Sequence, residues 1–425
     1  MTETRIDQII QGLPESTRNQ ARQVWEALPQ GIRDDLGATI LRLPGRPAAL
    51  KDVFGFILDQ YRPIWGDKRS VAVVGPANVG KSTLYNQLIT QDEDRAAVSP
   101  VPGTTRSRQA SDAGLFVLVD TPGADAVGAV GQREREIAFQ AAQAADFLVI
   151  MFDAVQGVRQ SEKELFDDLT AMDTPYIVVL NKMDLIRKRD REAVVASAAA
   201  NLGLEPFQLI QTVATEGENV ENVVLGIVKA QPALAAILAE MMPEYRSKIA
   251  WQRIFAAAGG AGVVGLTPLP LADVVPLLAI QVGLVLSLAR IYGFQITAGR
   301  AKELIAAFGI GLLGRTVFRQ LAKLGGVPGW ILGAAVAAAA TVALGYATMS
   351  WFAYGEKPSS EALQRLTNRV ATRLRERLLG MGREKPEKTS LRDRIVHALQ
   401  DLRGELEGEP VEREDTVLAV KEATE

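Results

Sequence analysis

The residues best placed to do chemistry are Gly75-Pro76-Ala77-Asn78-Val79-Gly80-Lys81-Ser82, followed by Thr83, which fit the phosphate-binding pattern G-x-x-x-x-G-K-[ST]. A polyphosphate needs backbone N–H groups that it can approach closely and a cation beside its β and γ groups. The glycines Gly75 and Gly80 open the loop, Lys81 supplies the charge, and the positive end of a following helix adds to the field. The run from Gly75 through Asn78, Val79 and Gly80 to Thr83 is therefore the expected phosphate cradle, with Ser82 on Mg²⁺. Such a loop has to join a strand to a helix. The apolar run Ser70 to Val74 before it and the pattern Leu84, Leu88, Ile89 after it supply that setting.

Three further motifs follow in the order that a guanine-nucleotide site requires: Thr104-Thr105, Asp120-Thr121-Pro122-Gly123 and Asn181-Lys182-Met183-Asp184. Asp120 closes the apolar run Leu115 to Val119, so it stands at a strand end where it can orient the Mg²⁺ shell. Gly123 can offer its N–H to a γ-phosphate, as part of a switch that relaxes on hydrolysis. Asn181 to Asp184 follow a second apolar run, Tyr176 to Leu180. A carboxylate there accepts from both N1–H and the exocyclic amine of guanine, a donor pair that adenine lacks. Asp184 thus selects GTP over ATP, with Asn181 and Lys182 in the same loop. Lys81, Thr105 and Gly123 are the candidate catalytic residues.

With these motifs in place, residues 70 to about 230 resemble the Era/TrmE/EngA group of small GTPases. The segment Val98-Ser99-Pro100-Val101-Pro102-Gly103-Thr104-Thr105-Arg106 is similar to the group's first switch. The resemblance implies GTP and GDP as ligands and Mg²⁺ held by Ser82, Thr105 and Asp120. Val213-Ala214-Thr215 fall where the group has Ser-Ala-Lys or Ser-Ala-Leu, so the resemblance gives the Ala214 N–H a contact to the guanine oxygen. Ala124 stands where Ras-like enzymes carry the glutamine that orients water, which implies slow intrinsic hydrolysis. Asn78 matches the asparagine through which TrmE-like members bind K⁺, the alternative being a turn residue that caps the loop. Arg106 is read as an exposed salt-bridging residue in preference to a group acting in trans. A homodimer through the G domain is a further expectation.

Composition narrows the rest. Among 425 residues there is no Cys and a single histidine, His397, which excludes disulfides, thiolate metal sites and histidine-based triads. Forty-seven Lys and Arg against fifty Asp and Glu give a net charge of −3, so no global basic bias points to nucleic acid. Glu3 and Asp7 in an N-terminus without an apolar core argue against a secretory signal.

The expected architecture is an α/β P-loop domain over residues 70–232, with a mostly parallel sheet and helices on both faces. Strands near Ser70, Leu115, Phe147, Tyr176 and Phe207 alternate with helices near Lys81, Arg133, Ser161, Asp190 and Val220. An all-α N-terminal region precedes it over residues 1–69, where Leu13-Pro14, Leu28-Pro29 and Leu43-Pro44 punctuate short helices. An all-α apolar domain follows over 233–355, then a basic amphipathic helix over 356–382 and a polar to acidic tail over 383–425, partly disordered, with one more helix expected from Leu391 to Leu402.

Between Ile254 and Ala289 the only charge is Asp273, and from Leu324 to Gly355 there is none. Both stretches exceed the roughly 20 residues that span a bilayer. One crossing in each would place Arg290, Arg300, Lys302, Arg315, Arg319 and Lys323 outside against Glu303 alone, which opposes the positive-inside rule. Pro268, Pro270 and Pro276 also break the first stretch into shorter pieces. Apolar hairpins on the cytosolic side and a buried bundle docking on the membrane both remain open. Thr267 to Asp273, Ile280-Gln281-Val282 and Ala289 to Gly293 are similar to the YcjF-type domain of unknown function, which implies association with a membrane. In the amphipathic helix, Leu363, Leu366, Val370, Leu374 and Leu378 oppose Arg365, Arg369, Arg373 and Arg377, a pattern suited to anionic headgroups or to packing its leucines on the preceding domain.

The expected function is a GTP-hydrolysing switch on the cytoplasmic face of a membrane, with an unknown effector. One rival is an Era-like ribosome or RNA assembly factor, disfavoured because the candidate GxxG, Gly311-Leu312-Leu313-Gly314, is embedded in apolar sequence. The other is a membrane-remodelling GTPase that self-assembles.

Overall fold

The structure is a computed structural model that describes residues 70–88, 115–120, 139–140, 142–266, 274–322, 327–380 and 386–407, with the single positions Gln11, Arg18, Arg22 and Gln60. The Leu-Pro segments of residues 1–69, Thr104 to Arg106, Gly123, Ala124, the run 267–273 and residues 408–425 lie outside the described residues. The chain divides into two compact units, Gly66–Tyr245 and Arg246–Glu425, the latter grouped with Met1–Trp65.

In the first unit the apolar runs become parallel strands. They are β1 (Val71–Gly75), β2 (Phe116–Asp120), β3 (Phe147–Asp153), β4 (Tyr176–Asn181) and β5 (Leu209–Gln211), in the order β2-β1-β3-β4-β5. Helices alternate with them, among them α1 (Lys81–Leu88), α2 (Gln160–Thr170), α3 (Arg191–Leu202) and α4 (Val220–Ala230). Strand side chains alternate between faces. Ala72, Val74, Leu148, Ile150, Val178 and Leu180 share a core with α2 and α3. On the other face α4 packs so closely on Ile177 and Ile210 that Gly226 has no room for a Cβ. Burial on both faces explains why the strands read as unbroken apolar runs. The register aligns the strand ends, setting Gly75 opposite Asp120 and Asp153 opposite Asn181.

The last strand is shorter than the sequence suggests. Phe207 sits in a single 3₁₀ turn, Pro206–Gln208, and is 85% exposed, so β5 begins at Leu209. Pro206 favours the turn, and Gln208 Oε1 accepts from the Glu205 N–H at 2.8 Å, which caps it before the strand starts. A short helix, α5 (Ala235–Met241), completes this unit.

The second unit is helical. Its described elements are α6 (Arg246–Val264), α7 (Val274–Ile291), α8 (Ala298–Ala307), α9 (Ile310–Ala322), α10 (Gly329–Tyr354), α11 (Ser360–Leu379), α12 (Lys388–Asp401) and α13 (Arg403–Glu407). Helix α10 packs against α6, α7, α9 and α11. Among the described helices it is the one long and apolar enough to cross a membrane by itself, and 83% of its most apolar window is buried inside the protein. A helix apolar all round belongs in such a core, where no face meets water. Of the hydroxyls it carries inward, Thr341 donates to the Ala337 carbonyl at 2.9 Å, whereas the buried Thr348 Oγ1 finds no partner among the described residues.

Small residues let these helices touch backbone to backbone. A Cβ on Gly333 would strike the carbonyl oxygen of Gly265, and one on Gly265 would strike that of Gly333. Gly333→Ala is therefore expected to cost about 1–3 kcal/mol in thermal or denaturant unfolding, because neither backbone can retreat. Gly329→Ala, with open space around it, is the control. A Gly333→Ala protein as stable as the control would show that the helices separate freely.

The stretch 254–289 divides between α6 and α7, with Pro276 in the first turn of α7, where a missing N–H costs nothing. The helix expected over Leu391 to Leu402 is α12, and it is packed. Leu391, Ile395 and Leu399 of α12 are fully buried and face α6, whose Gly259 and Gly262 make room for Val396 and Ile395. Likewise the leucine face of α11 (Leu363, Leu366, Val370, Leu374, Leu378) is buried in the bundle, with Ser359 capping the helix through the Ala362 N–H at 3.1 Å. The segment Gly311 to Gly314 is part of helix α9, as its apolar setting suggests.

Candidate functional site

The carboxyl ends of parallel strands are where loops gather and ligands bind in such sheets. Here the phosphate-binding pattern leaves the end of β1 and enters α1 at Lys81. Gly80 adopts φ +101, and a Cβ on it would strike the Asn181 carboxamide, so glycine is required twice over. The Leu84 N–H donates to the Gly80 carbonyl at 2.9 Å, which starts the helix and leaves the amides of Lys81, Ser82 and Thr83 in its first turn. No acidic side chain occupies that turn.

Lys81 is 5% exposed, and its Nζ donates to the carbonyls of Gly75 at 2.7 Å and Pro76 at 2.6 Å. The ammonium is thus curled back over its own loop. Val79 is buried and Asn78 exposed, with φ 64. Asparagine tolerates that left-handed conformation better than most residues, so the turn alone accounts for its type. The potassium role of Asn78 rests on the resemblance.

Asn181 is 3% exposed. Its Nδ2 donates to the Val79 carbonyl at 2.9 Å. Its Oδ1 accepts from Thr212 Oγ1 at 3.1 Å and from the Ala214 N–H at 3.0 Å. Asn181 is thus a tie between three loops, and the Ala214 N–H donates into it. The cause is the inward turn of the carboxamide, which has to meet both donors once it is buried. The surrounding backbone closes the same knot, with Ala154 N–H to Asn181 O and Thr212 N–H to Leu180 O, each 2.9 Å.

Lys182 follows with φ 65, and its Nζ meets Asp153 Oδ2 at 2.7 Å. Asp184 then lies in the 3₁₀ turn Met183–Leu185 with its side chain exposed, held from below by the Met183 N–H to Thr212 O bond of 3.2 Å. Asp120 ends β2 beside Gly75. Thr105 and Gly123 lie outside the described residues. Among those described, no cluster of three or more His, Asp or Glu could hold a metal. A Mg²⁺ that takes most of its shell from phosphates and water needs only one or two hard oxygens from the protein. Ser82 in the second position of α1 and Asp120 on the adjoining strand are of that kind.

Sequence reasoning passed over Asp153 and Thr212. The signal was present, since Asp153 closes the apolar run 147–152 just as Asp120 and Asn181 close theirs. Thr212 follows the last strand in the same manner.

Residues 70–182 match the family model described as "50S ribosome-binding GTPase", and residues 252–377 match "Domain of unknown function (DUF697)". GTPase Der of Pseudothermotoga lettingae is 35% identical over 136 residues, 29% of this chain and 31% of its own. GTPase Era of Aquifex aeolicus is 31% identical over 171 residues, 38% of this chain and 56% of its own. The chain therefore spans under a third of that Der relative and just over half of that Era relative. A crystal structure of Aquifex aeolicus Era bound to GDP·AlF4 has a TM-score of 0.33 at 24% identity, covering 48% of this chain and 69% of that one. The first unit therefore has a P-loop GTPase fold and is similar in sequence to the Era and Der GTPases, on a chain whose helical unit matches the DUF697 model over residues 252–377.

Proposed function

We propose that this protein binds guanine nucleotide with Mg²⁺ and hydrolyses GTP, acting as a switch whose state the helical unit conveys. The observation that carries the reading is the Asn181 knot, which holds the phosphate loop at Val79 and the Asp184 turn in one fixed relation. A single ligand with phosphates at one end and guanine at the other spans such a pair of loops. Lys81 and the first-turn amides of α1 take the β- and γ-phosphates, and Ser82 and Asp120 hold the metal. Thr105 and Gly123 complete the shell and the γ-phosphate contact by their places in the sequence. Mg²⁺ would neutralise charge developing between the β- and γ-phosphates. Ala124 brings no side chain to the attacking water, so hydrolysis without a partner is slow. The test is competition for a fluorescent GDP: GTP and GDP should displace it far below the ATP concentration needed. Equal displacement by ATP would defeat the guanine assignment.

A second reading rests on α11. With its leucine face buried, Arg365, Arg369, Arg373 and Arg377 stand exposed at four-residue intervals along the opposite side. We propose that this row meets the anionic headgroups of a membrane, as a surface contact that leaves the bundle intact. It is preferred to an RNA contact because the candidate GxxG, Gly311 to Gly314, is part of helix α9. Vesicles containing phosphatidylserine should sediment the protein at low salt and release it near about 0.5 M, where the screening length falls to a few ångströms. Binding that survives high salt, or none at all, would overturn this contact.

A further inference from the structure

We propose that Asp153 is a positioning residue for guanine recognition, acting through Lys182 on the turn that carries Asp184. The inference rests on the nucleotide-binding reading above. Asp153 is 3% exposed at the end of β3, directly across from Asn181 in the β3–β4 register. Its two oxygens are divided between two tasks. Oδ1 accepts the Val155 N–H at 2.8 Å and closes the turn after β3. Oδ2 accepts from Lys182 Nζ at 2.7 Å, with Gln156 Nε2 at 3.5 Å beside it.

The second task bears on ligand. Lys182 is one residue beyond β4 and adopts φ 65, a left-handed conformation that a residue with a Cβ enters at a cost unless something holds it there. A charge-assisted bond of 2.7 Å to a buried carboxylate is such a hold. The left-handed step at Lys182 turns the chain into the 3₁₀ turn Met183–Leu185, so it fixes where the Asp184 carboxylate stands. Without the ion pair Lys182 can relax towards extended backbone, and Asp184 moves relative to the phosphate loop. A carboxylate that must meet two donors on one edge of a base tolerates little displacement.

The alternative is a carboxylate that serves only the turn at Val155. The two roles separate in base selectivity. Asp153→Asn is isosteric and keeps an oxygen for the Val155 N–H, but presents an amide to Lys182. If Asp153 positions the guanine site, GTP affinity falls about tenfold while weak ATP binding, which draws on the phosphate loop alone, holds within about twofold. A purely structural defect lowers both together. Affinities are to be measured for the full chain, the two single variants Asp153→Asn and Lys182→Gln, and the double variant. Since Asp153 acts through Lys182, adding Asp153→Asn to Lys182→Gln should cost nothing further. Additive losses in the double variant, or parallel losses for GTP and ATP, would overturn the assignment. Should Asp153→Asn not yield folded protein, Lys182→Gln breaks the same pair from its 30% exposed side. An unchanged GTP to ATP ratio in that variant overturns the assignment equally. Wild-type protein without a preference for GTP would instead defeat the reading beneath it.

Discussion

Asn181→Ala should both destabilise the GTPase unit and severely weaken its nucleotide binding. The substitution strands the Val79 carbonyl, the Thr212 hydroxyl and the Ala214 N–H, all served by one carboxamide that is 3% exposed. A buried polar group left unpaired costs about 1–3 kcal/mol, and the three together come to about 3–5 kcal/mol once partial rearrangement is allowed. The same loss uncouples the phosphate loop from the Asp184 turn, so a ligand must order both loops as it binds. That should lower GTP affinity by about 100-fold or more. Denaturant unfolding and nucleotide titration read the two effects separately. Near-wild-type affinity in a destabilised protein would mean that the knot serves stability alone.

Lys81→Met should show the opposite balance. Methionine keeps much of the lysine stem and removes the ammonium, which in this structure rests on the Gly75 and Pro76 carbonyls. Those carbonyls keep the charge poised within its own loop, from which it swings to phosphate oxygens with little reorganisation. Preorganised charge of this kind contributes most where negative charge develops, so kcat/KM for GTP should fall by about 10²–10³-fold while unfolding shifts by about 1 kcal/mol or less. Hydrolysis within threefold of wild type would remove Lys81 from the phosphate site.

Much of this site could be read from residue order because its chemistry is local. A phosphate loop needs its glycines and lysine at fixed spacing between a strand and a helix, and Gly75 to Thr83 met each condition. What escaped was the part made by strands distant in sequence. Asp153 and Lys182 are 29 residues apart and Asn181 and Val79 are 102 apart, and only the strand order brings them together. A lone aspartate or threonine after an apolar run has no motif of its own. The bond from the Ala214 N–H to Asn181 was hidden for a related reason, since it depends on the inward turn of that carboxamide. In the helical unit the apolar runs were plain but their surroundings were not. Ile331 to Ser350 carry no periodic polar face, so nothing in their order says whether lipid or other helices surround them. The leucine stripe of α11 was legible, whereas its cover, formed with α9, α10 and α12, depended on where those helices lie.

Helix α10 also sets a problem of timing. Its 26 residues are made before α11 and α12, yet α11 is among the helices that seal its surface, and α12 covers α6 beside it. During synthesis at about 5–20 residues per second, the next helical segments take a few seconds to follow. For that interval the growing chain displays an uncovered apolar rod as long as a bilayer is thick. Whatever reads nascent chains for membrane insertion meets it first as a candidate, and only later as the inside of a protein. Folding of this unit is consequently a race between burial by its own later helices and capture by lipid, chaperone or another unfinished copy.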